Sequence, residues 1–248
     1  MTGIEQIRWL EPEWPYSQNL RALTTTRVGG ASAGPWAGFN LAEHVGDDPG
    51  SVAANRATLS RLLGHLPIQW LEQVHGVRVV EAPCQGVPEA DAVWTVTPGQ
   101  VLAVMTADCL PVVLADRAGS MIAVVHGGWR GLVDGILRET LAALPRQPEV
   151  AWLGPAIGAD VYEVGEEVVS RVRAEGSEFE DALAESPQPG KGYLDLARLA
   201  ELQLHQLGVS EVFGSGLSTW DTETFYSFRR EGETGRMATL AWLPLRRG

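Results

Sequence analysis

The sequence predicts a mixed α/β domain, and three observations support this class. Short apolar runs rich in β-branched residues occur between amphipathic stretches with helical spacing, over a chain of 248 residues. The runs 101–106, 111–115 and 121–126 follow one another without a helix, and the short turn at 118–120 predicts an antiparallel hairpin. No G-x-G-x-x-G sequence follows a predicted strand. We therefore expect a mixed sheet in one domain, residues 1–248, and not a simple Rossmann fold.

The individual elements are predicted from periodicity and from the residues that begin or end each run. Strands are expected at 20–26, 77–82, 101–106, 111–115, 121–126, 149–153, 210–214 and 237–244. Helices are expected at 51–63, 131–144, 164–175 and 195–207. Ser51 and Asp195 are the expected N-cap residues of the first and last helices, and a glycine ends each of them. The polar, Pro- and Gly-rich segment 176–192 is predicted to be an exposed connection.

Composition and charge limit the class of partner. The formal net charge of −12 argues against a general nucleic-acid binder, although a few focused arginines still permit a small anionic ligand. No apolar run has the length of a membrane span, and the start, MTGIEQIRWLEPEW, lacks the pattern of a signal peptide. Because the only cysteines are Cys84 and Cys109, we expect no disulfide framework and a cytoplasmic location.

Potential metal ligands end three apolar runs. His75 follows QWLEQV, Cys109 follows VLAVMTAD, and His126 follows MIAVV. Two imidazole nitrogens and a thiolate form a donor set that suits zinc or copper. Three ligands leave one coordination position for water or substrate, as in catalytic sites. The sequence therefore predicts a catalytic metal site, although each residue alone also fits a structural role as a buried or hydrogen-bonded group.

The turn HGGWRG, residues 126–131, is the sharpest local motif. Its glycines let the backbone approach a ligand closely, and the predicted helix after it offers free amide groups at its N-terminus. Arg130 adds a planar fork that suits phosphate or carboxylate. We therefore expect Arg130 to bind an anionic substrate group and to take part in catalysis.

Further candidates lie beside these motifs. Asp108 is costly to bury without a partner, so it is a candidate for proton transfer or for orienting a ligand histidine. Cys109 fits both a thiolate ligand and a nucleophile, and the sequence leaves both roles open. Arg27 in TTTRVGGAS and Asn40 in GFNLAEHVGDD are candidate substrate-binding residues.

The remaining histidines and the C-terminal arginines are expected to be peripheral. His44 and His65 flank the first predicted helix, and His205 lies within the last one, so all three are expected in solvent. The segment FYSFRREGETGRMATLAWL predicts a strand, a turn and a closing strand. Within it, Arg229 and Arg230 are expected to be ion-pair partners rather than pocket residues.

Together, these residues resemble the YfiH-like family, whose members are described as multicopper polyphenol oxidoreductases (laccases) and as purine nucleoside phosphorylases. The matching strings are TTTRVGGAS, FNLAEHVGDDP, LEQVHG, TADCLPVVLAD, AVVHGGWRGL, LGPAIGADVYEVG and FYSFRREGETGRMATLAWL, in that order along nearly the whole chain. The family's His, Cys and His ligands match His75, Cys109 and His126. Two cysteines that the family often carries are replaced here, by 160–161 (Asp-Val) and by Ser218, outside the ligand set.

The resemblance implies an α-β-β-α layered sandwich related to the catalytic domain of cytotoxic necrotizing factor toxins. It implies phosphorolysis of adenosine, inosine, guanosine or methylthioadenosine and hydrolytic deamination of adenosine, with zinc, or alternatively copper, as the metal. The expected partners are a purine nucleoside and phosphate, with no nucleic acid and no membrane, and a monomer is favoured. Arg130 and the adjacent helix N-terminus would hold phosphate, and the open metal position would admit water for deamination.

Three other functions stay open at this point. A copper-dependent polyphenol oxidase (laccase) needs several coppers and hence many histidines, whereas the chain has five. A Cys109–His126 pair suits a hydrolase or amidase, as in the toxin relatives, for example in the editing of peptidoglycan precursors. The third is a non-catalytic metal-binding partner protein, which turnover of adenosine would exclude.

Overall fold

The computed structural model describes residues 7–16 and 18–245, and all elements below lie within these ranges. The strands are β1 (Trp9–Leu10), β2 (Arg21–Thr25), β3 (Ile68–Gln69), β4 (Val79–Glu81), β5 (Ala92–Thr95), β6 (Val101–Thr106), β7 (Leu110–Ala115), β8 (Ile122–Gly127), β9 (Val150–Leu153), β10 (Glu163–Gly165), β11 (Leu183–Glu185), β12 (Lys191–Leu194), β13 (Glu211–Gly214) and β14 (Met237–Trp242). The α-helices are α1 (Pro49–Leu62), α2 (Trp129–Asp134), α3 (Ile136–Ala143), α4 (Glu166–Glu175), α5 (Leu196–Gln206) and α6 (Phe228–Glu231). Short 3-10 helices occupy Gly34–Trp36 and Ser177–Ala182.

Two mixed sheets form the centre of the fold. The five-stranded sheet has the order β1-β2-β14-β6-β3, and the six-stranded sheet has the order β13-β9-β7-β8-β5-β4. The β7–β8 hairpin is antiparallel, as predicted, whereas β3–β6, β4–β5 and β9–β13 are parallel pairs. A separate antiparallel sheet has the order β10-β12-β11. The mixed α/β class predicted from the sequence is confirmed.

Side chains on the two large sheets define four layers. Leu102 and Val104 of β6 pack with Ile122 and Val124 of β8 in a core between the sheets. The other face of the six-stranded sheet packs against α2 to α5, and the other face of the five-stranded sheet packs against α1. Because β6, β7 and β8 are buried on both faces, their sequences are continuously apolar. The layer order is therefore α-β-β-α.

The eight strands predicted by residue range all overlap observed strands, but two helices differ from their predictions. The first helix begins at Pro49, and its N-cap is Asp48, whose Oδ2 accepts a hydrogen bond from the Ser51 amide at 2.8 Å. The prediction of Ser51 as N-cap is wrong because proline is favoured in the first helical turn. The predicted helix 131–144 is two helices, α2 and α3, because Gly135 adopts a left-handed φ of 93°.

The segment 176–192 is largely exposed, as its composition predicts, but it is not a plain connection. It forms a 3-10 helix and β11, and the buried side chains of Phe179 and Ala182 join the core that contains α4 and α5. Strand β12 begins in the same segment and pairs with β10 and β11. Pro187, Pro189 and Gly190 lie in the turn between β11 and β12, whereas Gly176 ends α4 and Gly192 lies within β12. Helix α5 follows, with Asp195 as its N-cap as predicted.

Two further segments near the ligand residues are not strands: the run QWLEQVHG, residues 69–76, beyond Gln69 of β3, and FYSFRRE, for which the sequence predicts a strand. In 69–76, the Gln73 side chain bonds both backbone groups of Met105, at 2.8 and 2.7 Å, in place of a strand partner beyond β3. In FYSFRRE, the hydroxyl of Ser227 accepts from the Arg230 amide and begins helix α6. In the part of the chain that the structure describes, no helix is long and apolar enough to cross a membrane.

Candidate active site

Three predicted ligands from separate segments meet at one point. His75 lies beyond β3, Cys109 lies directly before β7, and His126 is in β8. One nitrogen or sulfur atom of each residue lies within 4.8 Å of the others. Nε2 of His75 is 3.7 Å from Sγ of Cys109, and the two imidazole centroids are 4.7 Å apart. The fold therefore brings together three side chains that are distant in the sequence.

A buried carboxylate, Asp91, connects two of these ligands. Its oxygens accept hydrogen bonds from the amides of Val74, His75 and Gly76, at 3.2, 2.9 and 2.7 Å. Oδ1 also bonds Nδ1 of His126 at 2.8 Å. These bonds hold His75 at a left-handed φ of 61°, which is unusual for a residue with a Cβ atom. Sequence reasoning missed Asp91, although an aspartate directly before the apolar run AVWT carries the same signal as Asp108.

The glycine pair of HGGWRG makes room for the ligands. A Cβ atom on Gly128 would lie 2.8 Å from Cδ2 of His75 and 3.3 Å from Sγ of Cys109. A Cβ atom on Gly127 would lie 2.9 Å from the carbonyl oxygen of Leu110. Gly128 has an ordinary φ of −70°, so lack of space, and not backbone freedom, requires glycine there. These glycines therefore let the backbone lie against the side chains of His75 and Cys109, whereas their approach to a bound substrate stays a prediction.

Cys109, which is half-buried, and His126, which is buried, influence each other's ionisation. Burial alone would raise the pKa of the Cys109 thiol, but the charge of His126 and hydrogen bonds from both histidines lower that pKa to about 6. Burial alone would lower the pKa of His126, but the Cys109 thiolate and Asp91 raise that pKa to about 9. Cys109 therefore favours the thiolate, which is the form that binds metals and also the form that attacks substrates.

The chemistry of this group fits a zinc or copper ion. It offers two nitrogens and one thiolate sulfur, which are the donors that these metals prefer. The bond from Asp91 to Nδ1 leaves Nε2 of His126 as its metal-facing atom, as in many carboxylate–histidine–metal arrangements. The donor set suits both metals and does not select between them.

Asp108, the predicted proton-transfer residue, uses both carboxylate oxygens within the protein. Oδ1 accepts from the hydroxyl of Thr219 and Oδ2 from the amide of Arg229, each at 2.7 Å. Asp108 itself has a left-handed φ of 100°. These contacts attach the first turn of α6 to the residue that precedes Cys109. They favour a positioning role for Asp108 over proton transfer.

A cavity of about 390 Å³ opens onto the three ligand side chains, and its volume is typical of small-molecule sites. Its lining, apart from the ligands, consists of His44, Gln73, Met105, Thr106, Ala107, Asp108, Trp129, Arg130, Tyr162, Phe228, Arg229 and Arg236. Three arginines and three aromatic rings thus surround the ligand group. A second, more apolar cavity of about 340 Å³ lies against α1 and β2 and contains none of these residues.

Arg130 lines the cavity as predicted, whereas Arg27 does not. The Arg130 side chain is exposed and stacks on the ring of Trp129, with 4.5 Å from its guanidinium carbon to the centroid. Arg27 pairs with Glu231 at 2.8 Å and stacks on Tyr226 at 4.7 Å. Arg130 is the cationic side chain that this turn contributes to the cavity lining, and the helix that contains it, α2, has only six residues.

Asn40 is also outside the cavity lining and bonds only to the protein. It is fully buried, and its amide group donates to Asp47 at 2.8 Å. Its Oδ1 accepts from the amides of Ala42 and Arg236, at 3.0 and 2.9 Å. Asn40 therefore reaches the cavity only through the backbone of Arg236, a lining residue that sequence reasoning missed.

Of the two C-terminal arginines that were predicted to form ion pairs, one lines the cavity and the other forms an ion pair. Arg229 lines the cavity and stacks on Tyr162, so its prediction as an ion-pair residue is wrong. Arg230 bonds Glu231 at 3.2 Å, as expected. His44 is exposed, as expected, yet it also lines the cavity. The outcome for Arg229 follows from α6, because a helix directs this side chain differently from the predicted strand.

A family model described as "Multi-copper polyphenol oxidoreductase laccase" matches residues 21–244. The chain belongs to this family. The matched range contains the three ligand residues and Asp91, together with every arginine that lines the cavity.

Two similar proteins in this family are both named purine nucleoside phosphorylase. A Pseudomonas aeruginosa protein named purine nucleoside phosphorylase is 46% identical over 238 residues, which cover 95% of this chain and 98% of that protein. Escherichia coli YfiH, also named purine nucleoside phosphorylase, is 45% identical over 242 residues, which cover 94% and 97%.

Solved structures in the family have the same fold. The crystal structure of a Neisseria meningitidis protein of the DUF152 family aligns with a TM-score of 0.91 at 42% identity, covering 96% of this chain and 99% of that one. YlmD from Geobacillus stearothermophilus aligns with a TM-score of 0.88 at 30% identity, covering 96% of each chain.

The two departures from the family pattern lie away from the ligands. Asp160 and Ser218 line another cavity, of about 300 Å³, which shares no residue with the one described above. The hydroxyl of Ser218 accepts a hydrogen bond from the Gly158 amide at 3.1 Å. The cysteines that the family often carries at these positions are therefore not needed for the three-ligand group.

Proposed function

We propose that this protein is a metal-dependent purine nucleoside phosphorylase that also deaminates adenosine. The observation that carries the proposal is the cavity, whose lining combines three arginines and three aromatic rings with His75, Cys109 and His126. The names of relatives at 45% and 46% identity support the same class. The proposed substrates are adenosine, inosine, guanosine and methylthioadenosine with phosphate, used by a cytoplasmic monomer.

Phosphorolysis needs an anion and a planar base to be held side by side. An oxygen of hydrogen phosphate bonds to ribose C1′ while the C1′–N9 bond breaks. The electron pair goes to the purine, which takes up the proton of hydrogen phosphate, and ribose-1-phosphate is the second product. The cavity arginines would hold the dianion in position for attack. The rings of Trp129, Tyr162 and Phe228 would pack on the purine.

In deamination, one water adds to the purine carbon that carries the amine, ammonia leaves, and adenosine becomes inosine. His75, Cys109 and His126 would hold the metal, zinc or alternatively copper. A bound divalent metal supplies Lewis-acid polarisation of substrate or water. Asp91 would keep the proton of His126 on Nδ1, so that Nε2 faces the metal.

The test is product analysis with adenosine and with inosine, each with and without phosphate. We expect ribose-1-phosphate and hypoxanthine from inosine only when phosphate is present. We expect inosine and ammonia from adenosine without phosphate as well. Metal analysis of protein purified without added metal accompanies the assay. If no purine nucleoside yields ribose-1-phosphate in metal-loaded protein, the phosphorylase proposal is wrong.

A Cys–His hydrolase or amidase is the second candidate, and one observation favours it. Cys109, His126 and Asp91 are arranged as nucleophile, base and orienting carboxylate, with 2.8 Å between the last two. Hydrolysis of amide substrates by metal-free protein would support this reading. For a copper-dependent polyphenol oxidase, residues 7–16 and 18–245 contain one His/Cys group able to hold a metal, which does not suit multi-copper chemistry.

A further inference from the structure

The three arginines that line the cavity are held very differently. The Arg130 side chain is exposed, stacks on Trp129, and has no hydrogen bond to a described residue. Arg229 is also exposed, but its Nη1 donates to the carbonyl of Glu163 at 2.7 Å and its guanidinium stacks on Tyr162. Only Arg236 is half-buried. The fold therefore holds Arg229 and Arg236 by hydrogen bonds, whereas Arg130 has only its stacking contact among the described residues.

Arg236 is fixed at its backbone and at one end of its guanidinium. Its amide donates to Oδ1 of the fully buried Asn40 at 2.9 Å. Its Nη1 donates to the carbonyl oxygens of Thr234 and Gly235, each at 2.9 Å. Within the described residues, Nε and Nη2 have no hydrogen-bond partner. Two donor nitrogens of this guanidinium, whose residue lines the cavity, are therefore not used within the described protein.

The charge of Arg236 has no carboxylate partner among the described residues. Half-buried Arg27 and Arg56, in contrast, pair with Glu231 and Glu43 at 2.8 and 2.9 Å. Burial lowers the pKa of the Arg236 guanidinium, against the opposing charges of Cys109 and Asp108. Because no carboxylate of the described residues lies within ion-pair distance of this partly desolvated cation, an anionic ligand would be a favourable partner.

We propose that Arg236 is the main phosphate-binding residue of the cavity, with Arg229 as its second contact and Arg130 in a lesser role. This inference rests on the proposed phosphorylase function. It assigns the anion to the side of the cavity formed by α6 and the start of β14, and not to the HGGWRG turn. The Nε and Nη2 donors of Arg236 would bind two phosphate oxygens in parallel, which lysine does not reproduce. Asn40 is then a positioning residue, since it holds the Arg236 backbone.

The test compares Arg236→Gln, Arg236→Lys and Arg130→Gln with the unmutated protein. The control, Arg138→Gln, removes an arginine on α3 whose side chain is 61% exposed. The readouts are the KM for phosphate at saturating inosine and the Kd for inorganic phosphate by calorimetry, with the nucleoside absent. We expect Arg236→Gln to raise both constants on the order of 30-fold, and Arg236→Lys on the order of 10-fold. We expect Arg130→Gln to change them less than about fivefold and Arg138→Gln to leave them unchanged.

The two proposals fail in different ways. If the unmutated protein phosphorolyses inosine but Arg130→Gln weakens phosphate more than Arg236→Gln does, this assignment is wrong and the proposed function stands. If the unmutated protein yields no ribose-1-phosphate, the proposed function is wrong, and the phosphate titration alone decides the role of Arg236. Absence of both phosphorolysis and phosphate binding overturns both proposals. Thermal unfolding identifies any variant that fails to fold, and Arg236→Lys, which keeps the charge, then replaces Arg236→Gln.

Discussion

Two segments of this chain place an arginine beside a glycine pair at the end of a strand, yet only one of them lines the cavity. In TTTRVGGAS, Arg27 pairs with Glu231, and Gly30 has a left-handed φ of 84°. In HGGWRG, Arg130 lines the cavity, and Gly128 has an ordinary φ but no space for a Cβ atom. The two motifs look alike in sequence and differ in the groups that contact them.

The difference lies in what each motif packs against. A Cβ atom on Gly30 would lie 2.4 Å from the carbonyl oxygen of Gly38, so glycine is needed there for two parts of the backbone to pack closely. A Cβ atom on Gly128 would meet the ligand side chains of His75 and Cys109. An arginine that already has a carboxylate partner stabilises the fold, whereas one without a partner is available to a ligand. The following substitutions test this contrast, from the largest expected effect on the site to the smallest.

Cys109→Ser should have the largest effect, because a hydroxyl is a poor substitute for a thiolate ligand. Changes around metal ligands typically cost about 10–100-fold in affinity, so loss of a ligand should cost more than about 100-fold. Metal content and turnover should fall together. Metal analysis and inosine phosphorolysis measure this, with Cys84→Ser as control, since Cys84 bonds the Glu81 carbonyl outside the cavity. Full metal occupancy with lost turnover would instead make Cys109 a nucleophile.

Asp91→Ala should weaken metal binding by about 10–100-fold, because it removes the acceptor for Nδ1 of His126 and for the turn at His75. Asp116→Ala is the matched control. Asp116 is also buried and accepts backbone amides, those of Ser120 and Met121. The Asp116→Ala variant should therefore have a lower unfolding temperature but an unchanged metal affinity. Equal metal affinities of the two variants would show that Asp91 has no special role at the ligands.

Gly128→Ala and Gly30→Ala test the glycine contrast directly. Gly128→Ala should displace His75 or Cys109 and lower metal affinity roughly 10-fold. Gly30→Ala should instead destabilise the fold by about 1–3 kcal/mol through its left-handed backbone, with little change in metal affinity. Metal titration and thermal unfolding of both variants distinguish these effects. The contrast is lost if both variants reduce metal affinity alike.

Arg27→Ala should have the smallest effect on the site. Its ion pair with Glu231 and its stacking on Tyr226 are partly exposed, so we expect a loss of about 1–2 kcal/mol in unfolding free energy. The phosphate KM should change less than about twofold, since Arg27 does not line the cavity. Chemical unfolding and steady-state kinetics measure the two quantities. A large rise in the phosphate KM with unchanged stability would instead show that Arg27 binds substrate, as the sequence predicts.

Most strands and the ligand set could be predicted from local sequence. Apolar runs of the right length predict β6, β7 and β8 because both faces of these strands are buried. His75, Cys109 and His126 could be singled out as candidate ligands because each lies at or near the end of an apolar run and because their donor types suit one kind of metal. The segment 176–192 was harder, since the buried Phe179 outweighs a polar composition.

The sequence by itself determined the α/β class, the order of the strands along the chain and the identity of the candidate metal donors, because these depend on periodicity and residue chemistry. Only the tertiary structure decided which polar side chains have internal partners. Asp91 reaches His126 across 35 positions, and Asn40 reaches Arg236 across 196. Such partners are set by the packing of the sheets and helices, and a hydrogen bond between distant residues leaves no local periodic signal.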